Sequence, residues 1–359
     1  MQKSVLSLAV VAALAAGATA SVHAQSNVQV YGLMDAGLEQ VTNATPSLAS
    51  QAKVTSGGKN TSRWGFRGSE DLGGGLKAIF NLEGGVFLDT GNADGPLFKR
   101  QAWVGLENEH NRVVIGRSFT TAYDFVILFD PLGYAPNYSW ATSSNASGPS
   151  KYGMTTAFDN LVKYSGHAGE FKYGATIGLG EQSSATASTA DSRKYAVGGS
   201  WTHGPFAAMA TYEQVNGNVV AATGNRDETT ALHLAADYKL ADWRFTAGGR
   251  AYKLKAGKAA TPDVKADTYW AGITYTTRPA WTFTGAMYYV DVKNVAAGQD
   301  ADPKMYVLRA LYALSKRTDL YAVAGYAKAK NNKLVSLSRD DAGFASTQRG
   351  VTLGMQHRF

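Results

Sequence analysis

Apolar and polar residues alternate with a period of two along most of this chain, and helical periodicity is hard to find. Phe171, Tyr173, Ala175, Ile177 and Leu179 stand against Lys172, Gly174, Thr176 and Gly178. Trp281, Phe283, Gly285, Met287 and Tyr289 stand against Thr282, Thr284, Ala286 and Tyr288. Successive side chains of a strand point to opposite faces, so each run has one apolar and one more polar face. Sixteen such runs are counted, each roughly 9 to 11 residues, the length a tilted strand needs to cross a bilayer. The pattern is weak near Val113–Arg117 and Asn160–Tyr164. In RQAWVGL, residues 100–106, Trp103 has the parity opposite to Val104 and Leu106, which a bulge or a protein-contacting face would accommodate.

The connections alternate between short and long. Asp71–Gly75, Thr202–Pro205, Lys239–Asp242, Thr276–Ala280 and Ser315–Asp319 are short. Ala44–Asn60, Gly180–Ser192, Asn216–Glu228, Lys253–Ala266, Val292–Pro303 and Lys328–Gln348 are long and polar. A barrel with tight turns at one rim and long loops at the other produces this rhythm, whereas a two-layer sandwich has no reason to keep it.

Which face meets water is decided by the stretch TSRWGFRGSED, residues 61–71. Read as a strand, it sends Trp64 and Phe66 one way and Arg63, Gly65 and Arg67 the other. The polar faces throughout are rich in Gly, Thr and Ala with scattered charges, and only 18% of residues are charged. A soluble single-core protein would expose charge-rich faces. The aromatic face is therefore expected to meet lipid or a neighbouring subunit, and Arg63 and Arg67 to line a watery lumen. Sixteen strands leave room for an aqueous channel.

The N-terminus is consistent with membrane residence by strands. Met1–Lys3 is a short positive region, Val5–Thr19 an alanine-rich apolar run, and Val22-His23-Ala24 a small-x-small cleavage site. Residues 1–24 thus read as a signal peptide, and 25–359 as the exported barrel. The later sequence has no run of about 18 apolar residues, and only helices and closed barrels satisfy their backbones in lipid. Cysteine is absent, which removes disulfides and zinc–thiolate sites. The formal charge of +7 is mildly basic, without the Lys/Arg-dense, aromatic-interleaved run of a nucleic-acid binder. The 19 tyrosines suit an interface between an apolar and a wet layer.

Candidate chemistry concentrates in one region. A hairpin centred on Gly73 places Arg63 opposite Glu83, with Arg100 at similar height on the next strand, so a cluster of opposite charges is expected on the inner wall. Ordinary cross-strand ion pairs holding the wall are the bland reading of the same residues. The region Ser118–Ala157 is too long for an ordinary connection and, with Tyr123, Phe125, Phe129, Tyr134, Tyr138 and Trp140, too aromatic for disorder. It is expected to fold into the barrel as a constriction loop and to bring Asp124 and Asp130 opposite the arginines. No cofactor or metal is implied. His110, His167, His203, His233 and His357 lack metal spacing, no G-x-S-x-G occurs, and Ser56-Gly57-Gly58-Lys59 lacks phosphate-loop spacing, so an enzyme is not indicated. A soluble, exported lectin-like protein is a weaker alternative.

The segments SNVQVYGLMDAGLE, TSRWGFRGSEDLGGGLKAIFNLE, LFKRQAWVGL, VVIGR, YALSKRT and GVTLGMQHRF resemble the Gram-negative general diffusion porins, particularly those of β-proteobacteria, across residues 27 to 359. The resemblance implies a homotrimer of 16-stranded antiparallel transmembrane β-barrels in the outer membrane, passing small hydrophilic solutes and ions, in contact with outer-membrane lipid and lipopolysaccharide. A channel dedicated to organic anions is the alternative within transport. The resemblance implies constriction roles for Arg63, Glu83 and Arg100, with Asp130 matching the loop acid by position. It also implies that Phe359 is the end signal read by the barrel assembly machinery. Relatives often carry another basic residue just before the DN of TTAFDNLVKY, where this chain has Ala157 or Phe158.

Overall fold

The computed structural model describes residues 27–142, 152–180, 190–277 and 280–359, and the expected signal peptide lies outside them. The chain runs through β1 (Asn27–Val41), β2 (Gln51–Ser56), β3 (Arg63–Gly73), β4 (Leu76–Gly85), β5 (Gln101–Glu107) and β6 (Asn111–Phe119). A short helix α1 (Thr121–Val126) and a 3-10 turn (Ile127–Phe129) follow. The chain continues through β7 (Ala157–Ala168), β8 (Phe171–Gly178), β9 (Lys194–His203), β10 (Phe206–Val219), β11 (Arg226–Leu240) and β12 (Trp243–Lys255). The last strands are β13 (Val264–Thr276), β14 (Trp281–Lys293), β15 (Lys304–Ala313), β16 (Thr318–Lys328) and β17 (Thr347–Arg358).

Each strand pairs antiparallel with its neighbours, and β1 pairs with β17 from Leu33↔Arg358 to Val41↔Gly350, closing the sheet on itself. Seventeen segments make a sixteen-stranded barrel because β2 and β3 share one position. β2 pairs with the upper half of β1, from Val41↔Gln51 to Ala36↔Ser56, and β3 with its lower half, from Leu33↔Arg63 to Asn27↔Ser69. Residues 57–62 bulge inward between them. The excursion starts at Gly57, whose φ of +91° favours a residue without Cβ. Its amides are received by buried Asp35, which accepts from Asn60 N at 3.0 Å and from the Tyr321 hydroxyl at 2.7 Å. The alternation alone reads Ala44–Asn60 as one loop; residues 51–56 within it are strand.

Outward positions carry the apolar face. Leu308 is 69% exposed and Leu38 68%, while the inward Asp35 and Thr352 are fully buried. Trp64 and Phe66 share the outward parity, and Gly65 between them is buried. The Trp103 anomaly resolves without a bulge in its own strand: β5 stays in register with β4, and Trp103 faces the lumen, donating from Nε1 to Gln101 Oε1 at 2.9 Å. The weak β6–β7 pattern reflects a real irregularity, a register shift between Gly116 and Ser118.

Residues 120–142 fold into the barrel and are tied to the wall. Trp270 Nε1 donates to the Phe129 carbonyl at 2.8 Å, Arg309 Nη1 to that of Leu132 at 2.8 Å, and Arg250 Nη1 to that of Ala141 at 2.6 Å. The Tyr138 hydroxyl lies 2.7 Å from Thr352 Oγ1, and Asn137 Nδ2 donates to Thr55 Oγ1 at 3.1 Å. The long final connection, residues 329–346, also dips inward, and its Leu337 carbonyl accepts from Trp140 Nε1 at 3.1 Å. Gly325 and Gly350 leave room for these contacts: a Cβ on Gly325 would sit 2.9 Å from the Tyr138 ring and from Leu337.

Gly325→Val, which suits a strand by propensity, should overpack this seam and cost about 1–3 kcal/mol. The folded barrel's thermal transition in detergent should fall by several degrees, and an unchanged transition would show that the seam yields freely.

Candidate functional site

The wall cluster forms on β3 and β4 by diagonal rather than direct pairing. The hairpin centres one residue later than the symmetric expectation, so Gly65 pairs with Glu83, and Arg63 with Gly85. Arg63 and Glu83 still share the inner face, and Arg63 Nε lies 3.7 Å from Glu83 Oε2. Arg100, just before β5, donates from Nε to Glu83 Oε1 at 2.7 Å. The Tyr31 hydroxyl donates to Glu83 Oε2 at 2.8 Å. One buried carboxylate is thus shared by two guanidiniums and a phenol, and charge-assisted bonds of this kind are the stronger ones. Arg63 is further held by the inward excursion, donating from Nη1 to Asn60 Oδ1 and to the Thr61 carbonyl, each at 3.0 Å. The interruption between β2 and β3 therefore aims Arg63.

An aromatic path leads from the wall onto the folded loop. Arg100 lies over the Phe119 ring at 5.2 Å, Phe119 stacks on Tyr123 at 4.4 Å, and Tyr123 meets Tyr134 edge-on at 5.0 Å. Arg339, from the last long connection, stacks on Tyr134 at 3.6 Å and donates from Nη1 to its carbonyl at 3.2 Å. Burial holds the Tyr123 hydroxyl above its ordinary range, and the charges of Arg100, Arg339 and Arg63 pull it the other way.

The other candidate residues lie elsewhere. Arg67 is exposed on β3, nearer the short-turn rim, where it makes two bonds to Gln29 Oε1 at 3.0 and 2.8 Å and stacks over Tyr31 at 4.9 Å. Asp130 is turned away from the lumen. It is 2% exposed and accepts from the Tyr288 hydroxyl, Tyr134 N and Ser139 Oγ, each at 2.6 Å, and from Leu132 N at 3.1 Å. It pins the loop rather than facing the arginines, because a buried carboxylate must find donors and the loop supplies three of its own. Asp124, on α1, pairs with Lys163 of β7 and borders a cavity toward the β5–β6 turn, again not opposite Arg63. Phe359 closes the barrel seam: its amide and carbonyl bond Gly32 at 3.1 Å each, and a Cβ on Gly32 would lie 2.4 Å from the Phe359 ring.

Arg339 is the residue that sequence reasoning missed. Nothing near it in SLSRDDAG marks it, because its partner Tyr134 is about two hundred residues away and only the folded loops bring them together. Above the site opens a cavity of about 600 Å³ lined by both signs of charge, including Lys99, Arg100 and Arg339 with Asp89, Asp94 and Asp340. Several of these are paired: Lys99 with Asp94 at 2.6 Å and Arg339 with Asp340 at 3.4 Å. The geometry describes a lumen narrowed by an inward loop, with a basic strip along one side of the narrowing.

A family model described as Gram-negative porin matches residues 9–332. Over the full length of both chains, the sequence is 32% identical to outer membrane porin protein 32 of Delftia acidovorans and 30% identical to an outer membrane porin protein of Bordetella pertussis. The structure is similar to that of an anion-selective porin from Comamonas acidovorans, with a TM-score of 0.79, 25% identity, and 93% of this chain and all of that one covered. The closed sixteen-stranded barrel, its inward loop and these matches place the chain in the family of Gram-negative porins, channel-forming proteins of the outer membrane.

Proposed function

We propose that the protein is a passive diffusion channel for small hydrophilic solutes and ions with a mild preference for anions. The observation that carries this reading is the strip of Arg63, Arg100 and Arg339, in which Arg63 and Arg100 share Glu83 and the rings of Phe119, Tyr123 and Tyr134 lead from Arg100 to Arg339. The carboxylate beside Arg339, that of Asp340, is 65% exposed, where water and salt screen it. A passing anion meets guanidinium and phenol donors at the narrowing, and a cation meets an excess of like charge; rings of charge set selectivity this way in pores. The position where relatives carry an extra cation is Ala157 or Phe158 here, and Arg339 supplies a guanidinium from another loop. The anion selectivity in the name of the Comamonas neighbour supports the same reading. The constriction is assigned to Arg63, Glu83, Arg100, Tyr123 and Arg339, with Arg67 contributing charge nearer the periplasmic mouth. The homotrimer implied by the sequence belongs to this proposal, and so does recognition of Phe359 by the assembly machinery.

Single-channel current in a planar bilayer across a KCl gradient tests the reading. The native protein should conduct ohmically with a reversal potential on the anion side. Arg63→Ser/Arg100→Ser should keep the conductance and move the potential toward cations, and Arg339→Ser should move it the same way by less. An unmoved potential would remove the site assignment, and no current from folded protein would remove the channel reading. Flux saturating with one organic anion would assign a dedicated permeant instead.

Phe359→Ala should refold in detergent with a modest loss of stability from the seam. In cells it should reach the outer membrane severalfold less well than the native chain. Equal assembly of the two in cells would leave Phe359 as a seam residue only.

A further inference from the structure

Two histidines meet at the short-turn rim. His110 closes the turn between β5 and β6, and His167 stands near the end of β7. They are 57 positions apart in the chain, so no spacing along the sequence marks them as partners. Folding sets His110 Nδ1 3.3 Å from His167 Nε2, with ring centroids 5.1 Å apart and ring planes at 71°. The backbone fixes this meeting, because His167 N donates to the His110 carbonyl at 3.0 Å and staples the two turns together. Asn108 Oδ1 holds the first turn in shape, accepting from His110 N at 3.0 Å and from Asn111 N at 2.8 Å. Both rings are exposed.

The pair faces the lumen. His167 has the parity of Lys163, which reaches Asp124 of the inward loop, and His110 that of buried Val114. Both histidines border a cavity of about 340 Å³ that they share with Phe125 and Leu128 of the inward loop. The charges around them are of both signs: Lys172 lies opposite His167 in the ladder, Arg112 pairs with Glu107 at 2.6 Å, and Glu109 adds a carboxylate to the same cavity. The distance between the two nitrogens is long for a hydrogen bond between rings. It matches a different chemistry. Zinc holds imidazole nitrogens at about 2.0–2.1 Å in a tetrahedron, which sets two of them about 3.3–3.4 Å apart. A square-planar ion with similar bonds needs about 2.8–3.0 Å.

We infer that His110 and His167 form a chelating pair for a zinc ion at the short-turn mouth of the lumen. Neutral imidazole suits zinc, whereas calcium and magnesium take oxygen ligands. Among the described residues no third histidine or carboxylate joins the pair as a ligand, so the other coordination positions belong to water. The two turns bring the ligands together before the ion arrives, which spares the ordering that a flexible pair would need. The site is separate from the narrowing at Arg63, Arg100 and Arg339, and the inference holds whatever the pore selects.

The test is calorimetric titration of zinc chloride into the full folded barrel in detergent, without an affinity tag and after washing with a chelator. Heat-modifiable migration in gels confirms that each variant is folded. The native protein should bind one zinc ion per chain. His110→Ala and His167→Ala should each weaken binding severalfold, and the double variant no further, because either loss breaks the chelate. His203→Ala, which removes a rim histidine paired with Glu170 at 2.6 Å, should bind zinc as the native chain does. Absence of binding to the native protein would overturn the inference, as would binding that survives in the double variant. Equal losses in all three single variants would also overturn it, by assigning the zinc to scattered surface imidazoles. Displacement of the zinc by equimolar calcium would overturn it by assigning oxygen ligands.

Discussion

Everything in this molecule depends on closing the backbone ladder. In hydrocarbon an unpaired N–H or C=O costs several kcal/mol, so an open edge is not available to a strand protein that spans a membrane. The β1–β17 pairing removes the last edges, and Phe359 extends it by bonding Gly32 in both directions. The interruption between β2 and β3 turns inward to the lumen, where the side chains of Asp35 and Asn60 accept from its amides. That interruption is also where the wall's first arginine is positioned, so the barrel spends its broken stave on the site.

The inward loop shows how a polar interior is stabilised without an apolar core of ordinary kind. Its carbonyls are taken by Trp270, Arg309 and Arg250 from the far wall, its own amides by Asp130, and its aromatic side chains fill the space over Gly325 and Gly350. Holding the loop against one side leaves the passage on the other, beside β3 and β4. The acidic side chains of the loop are consumed in this anchoring. Asp124 and Asp130 are therefore not among the side chains that line the cavity beside Arg100 and Arg339.

The charge clusters differ in what neutralises them. Glu83 is buried and saturated by Arg63, Arg100 and Tyr31, a wall element as much as a selectivity element. Arg339 is held by a ring and a carbonyl, and its ion-pair partner Asp340 is 65% exposed rather than buried.

The sequence alone determined the architecture: the period of two, the strand lengths, the short–long rhythm and the placement of Trp64 and Phe66 outward with Arg63 inward. These follow from local geometry, since a strand's two faces and a turn's length are written in neighbouring residues. It also placed Arg63, Glu83 and Arg100 on one wall, because a hairpin's register is nearly local, and it erred there by a single step of the turn. Tertiary structure alone decided that Asp130 and Asp124 turn away from the arginines and that Arg339 joins them. It also showed that β2 lies within an apparent loop. Each of these is set by contacts between segments far apart in the chain, where a buried carboxylate or guanidinium goes to whichever donors or rings the folded loops present, and no spacing along the sequence records that choice.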